Sequence, residues 1–132
     1  MKFDDDLKAK ANDLSKQVIG AAIEVHRHLG PGLLESSYEI CLARELELRG
    51  IPVQRQVYMP IEYKGIRIEK AYRIDMLVSD CLVIEVKSLA RIEPIHEAQL
   101  LTYLRLSESW LGLILNFHVP VLKDGIKRLV LG

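Results

Sequence analysis

Three consecutive residues, Glu85-Val86-Lys87, form the first arrangement in this chain that could do chemistry. Side chains alternate along an extended strand, so Glu85 and Lys87 project from one face and Val86 from the other. Asp75 lies ten residues upstream in another apolar run, across a Ser79-Asp80 turn. If the two runs pair as a hairpin, the Asp75 and Glu85 carboxylates can approach each other. Two carboxylates about 4 Å apart repel by about 4 kcal/mol at an effective dielectric of roughly 20, a cost that a proton, a lysine or a divalent cation removes. A hard cation such as Mg²⁺ takes oxygen ligands, keeps several waters and completes its shell with substrate phosphate. The plainer alternative is a surface Glu–Lys pair on a polar strand face. Against it stand the apolar neighbours, Leu82 to Ile84 before Glu85, and Ile74, Met76 and Leu77 around Asp75. Charged groups set in such runs are costly unless they are paired or hold a metal.

Other residues could serve the same centre. Glu35 falls in the first turn of a predicted helix, beside the Gly30-Pro31-Gly32 corner. An acid there favours the helix dipole; it could equally be a third carboxylate aimed at the same cation. Gln99 and Tyr103 are spaced i and i+4 on one face of another predicted helix, with His96 nearby and Leu100, Leu101 and Leu104 on a different face. Such a helix can pack on a sheet while showing polar groups to a cleft, although any amphipathic helix shows that division.

These residues must be positioned by elements legible in the hydrophobic pattern. Leu14, Val18, Ala21, Ala22, Val25 and Leu29 recur at helical spacing, with Asp13 available as a cap and Gly30-Pro31 as the stop. The first dozen residues either fray or extend that helix. A second helix is expected over roughly Leu33 to Arg49, with a stripe of Leu34, Tyr38, Cys41, Leu42 and Glu45. Glu45 is the odd member, expected to be at least half-buried and paired with an arginine such as Arg55 or Arg73. From Val53 to Lys87 the period changes to two, with turns at Tyr63-Lys64-Gly65 and Ser79-Asp80, and this predicts a meander of about three antiparallel strands with the last one central. A third helix should start near Pro94, a residue suited to a first turn, and end near Ser107. Leu111 to Phe117 and Ile126 to Leu131 read as closing strands around a Lys123-Asp124-Gly125 turn. The expected order is ααβββαββ, an α/β fold in one domain spanning residues 1–132.

Composition limits the function classes. Of 132 residues, 49% are hydrophobic, enough for a buried core and too many for a disordered chain. Apolar runs such as Leu113 to Leu115 are far shorter than the roughly 20 residues of a membrane span. The acidic start, Met1-Lys2-Phe3-Asp4-Asp5-Asp6, is unlike a secretory signal, and Cys41 and Cys81 form no CxxC pair. These features lead us to expect a cytoplasmic protein with both cysteines reduced and packed, and no membrane partner. Lys and Arg number 18 against 18 Asp and Glu, so any basic surface for nucleic acid must be local.

Taken together, Glu35, Asp75, Glu85-x-Lys87 and Gln99-x-x-x-Tyr103 resemble the PD-(D/E)XK nuclease superfamily, with the QxxxY helix of its RecB-like branch. Within it, Gly32-Leu33-Leu34-Glu35-Ser36-Ser37-Tyr38 is similar to the signature of the GxxExxY family. The segments Ala21 to Arg27, Pro94 to Tyr103, and Asn116-Phe117 to Lys123-Asp124-Gly125 are similar to it too, and the likeness runs from about Val18 to Val130. The resemblance implies a restriction-endonuclease-like core, a central mixed sheet flanked by helices. It implies Mg²⁺, with Mn²⁺ as a substitute, held by Asp75, Glu85, the Val86 carbonyl and Glu35, the last directly or through water. Lys87 would orient the attacking water and stabilise charge on the phosphate, while Gln99 and Tyr103 would position the nucleic-acid backbone. RecB-like relatives use an upstream histidine as a ligand, which makes His26 a lesser candidate, although it only borders the first apolar stripe. The implied activity is metal-assisted hydrolysis of nucleic acid, DNA before RNA, directed by structure more than by sequence, with a homodimer as one way to treat both strands. The alternative is a catalytically silent module that uses the same fold to bind nucleic acid or protein.

Overall fold

The computed structural model describes residues 3–132; Met1 and Lys2 of the acidic start lie outside the described residues. The first helix, α1, spans Asp5–Leu29 and so takes in most of the leading segment. Its cap is Asp4, whose carboxylate accepts a 2.8 Å hydrogen bond from the Leu7 N–H, with Asp5 and Asp6 in the first turn. Asp13 is therefore interior and accepts from the Gln17 side-chain amide at 2.7 Å. Ala11 and Leu14 are buried, so the apolar stripe begins before the expected cap.

A second helix, α2 (Glu35–Leu48), is followed by strands β1 (Val53–Tyr63), β2 (Ile66–Val78) and β3 (Leu82–Lys87), then α3 (Pro94–Ser107), β4 (Leu111–Asn116) and β5 (Ile126–Val130). The order ααβββαββ is as the sequence predicts. The sheet runs β1-β2-β3-β4-β5, antiparallel except for β3 and β4, which are parallel and joined through α3. A parallel neighbour needs a crossover, and α3 provides it. The hairpin turns at Lys64-Gly65 and at Ser79-Asp80 both have positive φ (45° and 88°, 49° and 57°), the geometry that matches the strands' right-handed twist.

Two apolar layers form, one on each face of the sheet. Helices α1 and α2 pack through Val18, Ala22, Tyr38, Leu42 and Leu46 against Met76, Val78, Leu82, Ile84, Leu113 and Leu115. Helix α3 packs through Leu100 and Leu104 against Ile74, Val83 and Ile114. Its close approach depends on Gly112, where a Cβ would lie 2.9 Å from the Leu100 side chain. Pro94 opens α3, and His96 closes a capping box by accepting the Glu93 N–H at 2.8 Å.

The α2 stripe is rotated from the expected one. Tyr38, Glu39, Leu42, Ala43 and Leu46 are buried, while Leu34 precedes the helix and is 74% exposed. Glu45 does not pair with Arg55 or Arg73; it holds Arg49 one turn on, at 2.8 Å. The buried acid paired with Arg55 is Glu39, at 3.5 Å. No helix among the described residues is long and apolar enough to cross a membrane.

Candidate active site

The site grows out of a break in strand pairing. Strands β2 and β3 pair backbone to backbone through Val78↔Leu82, Leu77↔Val83 and Met76↔Ile84, and no further. At the next level the side chains take over. The Asp75 N–H donates to Glu85 Oε2 at 2.9 Å, and the Val86 N–H donates to Asp75 Oδ2 at 2.9 Å. On the other side of Asp75, the β1 register skips Gln56, which has a left-handed φ of 55°. Both neighbours of Asp75 have thus left the ladder at one level, and strain of this kind is typical of functional positions.

The same level is where the β1–β2 ribbon changes layers. Met76 and Val78 pack beneath α1 and α2, whereas Tyr72 and Ile74, of the same parity, pack beneath α3. Asp75 and Glu85 occupy the crossover, with Glu85 only 4% exposed. Burial, and then the Asp75 charge, push the Glu85 carboxyl up to about 8 from its usual 4.5, against the opposing pull of its hydrogen bond and of Lys87. Burial likewise raises Asp75, with Glu39 and Glu35 adding to the rise and the Val86 N–H and Lys87 working against it.

A cavity of about 290 Å³ opens beside this pair, lined by Glu35, Tyr58, Arg73, Asp75, Glu85, Lys87, Gln99 and Tyr103. All six principal residues singled out from the sequence therefore meet around one space. Lys87 ends β3, its carbonyl fixed by the Phe117 N–H at 3.0 Å. Gln99 and Tyr103 come from one face of α3. Burial and the two nearby carboxylates raise the Tyr103 phenol, whose ring stacks on Tyr72 at 4.9 Å. Among the described residues, the buried Tyr72 hydroxyl has no hydrogen-bond partner.

Glu35 is delivered by the corner before α2. Gly30 and Gly32 take φ of 69° and 100°, which side chains resist. Tyr38 locks that corner: its hydroxyl donates to the Gly30 carbonyl at 2.5 Å and accepts from the Leu33 N–H at 3.1 Å, while its ring stacks on Phe117 at 4.4 Å. The glycine, acid and tyrosine of the Gly32–Tyr38 segment are thus one device. The glycine bends the chain, the tyrosine holds the bend, and the acid is carried to the cavity. There, Glu35 Oε1 accepts from the Ser88 N–H at 3.2 Å.

A sequence model of the PD-(D/E)XK nuclease superfamily matches residues 12–129. The chain belongs to that superfamily. No curated protein and no solved structure matches it. Its α/β architecture, with a five-stranded mixed sheet in the order ααβββαββ, is the restriction-endonuclease-like fold that membership implies.

Nucleases of this superfamily generally use divalent metals, and the donors here suit one. Two adjacent carboxylates, Glu85 buried and Asp75 half-buried, are hard oxygen ligands whose repulsion a hard cation relieves. Among the described residues no three His, Cys, Asp or Glu side chains gather into a metal cluster, so Glu35 shares the cavity without joining Asp75 and Glu85 as a third close ligand. His26 stands apart altogether. Its Nε2 lies 2.8 Å from the Val119 carbonyl, and it borders a different cavity with Pro120 and Lys123. His96 is spent on its capping box.

Several contributors were not singled out from sequence. Glu39, one turn after Glu35, is buried, accepts Gln56 Nε2 on both oxygens at 2.8 and 2.9 Å, and raises both site carboxyls. Its i+4 spacing from Glu35 was the available signal. Arg73, considered only as a partner for Glu45, lines the cavity opposite Tyr58. Asn116, which the family resemblance marks without a role, clamps the segment after Lys87: it accepts the Leu89 N–H and donates to the Leu89 carbonyl, both at 3.0 Å.

Proposed function

We propose that this chain is a Mg²⁺-dependent nuclease of the GxxExxY kind, with Mn²⁺ as a substitute, hydrolysing DNA at positions set by structure more than by sequence. One observation carries the reading: at the level where β2 and β3 part, buried Glu85 and half-buried Asp75 meet as an acid pair with Lys87 on the same cavity. Asp75, Glu85 and the Val86 carbonyl are the residues to hold the cation, with Glu35 assisting through water. When bound, the cation supplies Lewis acidity for activating water and offsetting charge on the phosphate.

The remaining work falls to the chain. Lys87 orients the nucleophile and stabilises charge developing on the phosphate oxygens, an electrostatic contribution realised in the transition state. Gln99 and Tyr103, presented from α3, hold the sugar-phosphate backbone against the cavity. The exchanged Asp75–Glu85 and Val86–Asp75 hydrogen bonds fix both carboxylates before substrate arrives. We place this single nuclease domain in the cytoplasm, where free Cys41 and Cys81 stay reduced; a homodimer would let it treat both strands.

Incubating the protein with DNA and RNA substrates in Mg²⁺, Mn²⁺ and EDTA tests the reading. DNA should be cut in either metal and left intact in EDTA. Lys87→Ala should lower kcat by about 10²–10³-fold while the protein stays folded. Cleavage that survives EDTA or that substitution overturns the assignment, and binding without turnover in any metal turns it into a silent module.

A further inference from the structure

Beyond the cavity, β1 and β2 continue as a two-stranded arm, and residues 62–70 of it are exposed throughout. Tyr58 and Arg73 stand at its root as directly opposed register partners, and both line the cavity with Asp75, Glu85 and Lys87. Directly opposed residues share a face of the ribbon. Tyr58 is 50% exposed, and Lys70 Nζ lies 4.8 Å from its ring centroid. A half-exposed aromatic ring therefore sits beside the acid pair, flanked by two cations.

The arm also sorts its charges. Arg67 is neutralised by Glu62 at 3.3 Å and by Glu69 at 2.7 Å. Among the described residues, neither Arg73 nor Lys70 has a carboxylate within ion-pair distance. Both acids of the arm are thus taken up by one arginine, leaving positive charge where the arm meets the cavity. A chain with no net charge and three acids on its cavity needs such a local source of attraction before a polyanion can approach.

We infer that Tyr58, Arg73 and Lys70 form the seat of an unpaired nucleotide next to the scissile phosphate, so that the substrate is a strand with exposed bases at the cut rather than continuous duplex. The inference rests on the phosphodiester reading of the same cavity and names its substrate class. Within a duplex both faces of each base are covered by neighbours, so an aromatic platform rewards only a base that has left the stack. Tyr58 supplies the platform, and Arg73 and Lys70 hold the flanking phosphates. Tyrosine stacking tolerates any base, in keeping with cleavage directed by structure.

The test is binding without turnover: fluorescence anisotropy in EDTA with a short mixed-sequence single strand and with its blunt duplex, for the intact protein and three variants. The protein should prefer the single strand. Tyr58→Ala should weaken single-strand binding by about 5- to 150-fold and leave duplex binding unchanged, and Tyr58→Phe should restore it. Arg73→Gln should weaken both ligands and reduce the salt slope by about one phosphate contact. Equal affinity of Tyr58→Ala and the parent for the single strand, or a preference for duplex, overturns the seat. Lys87-dependent cleavage with no role for Tyr58 removes the seat and keeps the nuclease. Tyr58-dependent single-strand binding without cleavage in any metal keeps the seat and removes the nuclease.

Discussion

Beneath α1 and α2 the sheet offers an unbroken apolar surface, from Met76 and Val78 through Leu82 and Ile84 to Leu113 and Leu115, none of them more than 0% exposed. Beneath α3 the buried set shrinks to Ile74, Val83, Leu100, Leu104 and Ile114, and neighbouring positions of β2 and β3 carry Asp75, Glu85 and Lys87. The first face is all transfer free energy, at about 25 cal/mol for each Å² removed from water. The second spends part of its area on the buried Glu85 and half-buried Asp75 carboxylates, which oppose folding when no cation is bound. A reactive acid pair can persist because the opposite face of the same strands offsets its cost.

The division can be broken from the apolar side. Leu113→Ala opens a cavity in the middle of β4 beneath α1 and α2, where surrounding side chains cannot follow. It should cost about 2–5 kcal/mol of stability, read as a lower midpoint in urea. Turnover per folded molecule should hold, because Leu113 packs in the layer beneath α1 and α2 and does not line the cavity. A drop in kcat beyond about tenfold in the folded fraction would show that the two faces are not separable.

From the charged side the sign reverses. The Glu85 carboxyl, raised to about 8 in the folded chain from an ordinary 4.5, binds its proton more tightly folded than unfolded. Metal-free stability should therefore fall as pH rises from about 4.5 to about 8 and level off above that. Asp75, also raised by burial, adds to the slope with the same sign. Glu85→Gln removes most of it. In EDTA the variant should melt several degrees higher than the parent at about pH 9 and close to it at about pH 5. Added Mg²⁺ should raise the parent's melting temperature and leave the variant's unchanged. A parent whose metal-free stability rises with pH across this window would contradict the raised carboxyls of this pair.

The difference between the faces also explains what the sequence disclosed. Elements with a marked apolar pattern were readable: the α1 stripe, the meander by its alternating residue types, and β4 by a continuous apolar run that is buried at every position. The Asp75–Glu85 meeting followed from the hairpin, since the Ser79-Asp80 turn fixes which residues face each other. Glu39 carried only its i+4 spacing from Glu35 as a signal, because a buried acid looks like any helical acid until Arg55 and Gln56 arrive from another strand. Glu45 misled for a different reason: the buried α2 stripe is rotated from the expected one, and Arg49 one turn away pairs with Glu45 locally. His26 was drawn in by resemblance alone, and tertiary packing gives its ring to the Val119 carbonyl. Contacts set by sequence-distant partners, such as those of Glu39 and His26, carry no period in the sequence.

Tyr38 joins the two regimes, and the mildest substitution sharpens the comparison most. Its ring belongs to the apolar layer, stacked on Phe117, while its hydroxyl serves the cavity by tying the Gly30 carbonyl to the Leu33 N–H ahead of Glu35. Tyr38→Phe keeps the ring and removes only the tie, leaving both backbone groups to find water. Stability should fall by about 1–2 kcal/mol, the range for an unmade hydrogen bond at a partly buried site. If Glu35 acts on the cation from a distance, loosening its corner should raise the Mg²⁺ concentration needed for half-maximal cleavage and leave the rate at saturating metal nearly unchanged. A lower rate at saturating Mg²⁺ would instead place Glu35 in the transition state. An unaltered metal requirement would reduce the glycine–acid–tyrosine device to packing, and the cavity would then rest on Asp75, Glu85 and Lys87 alone.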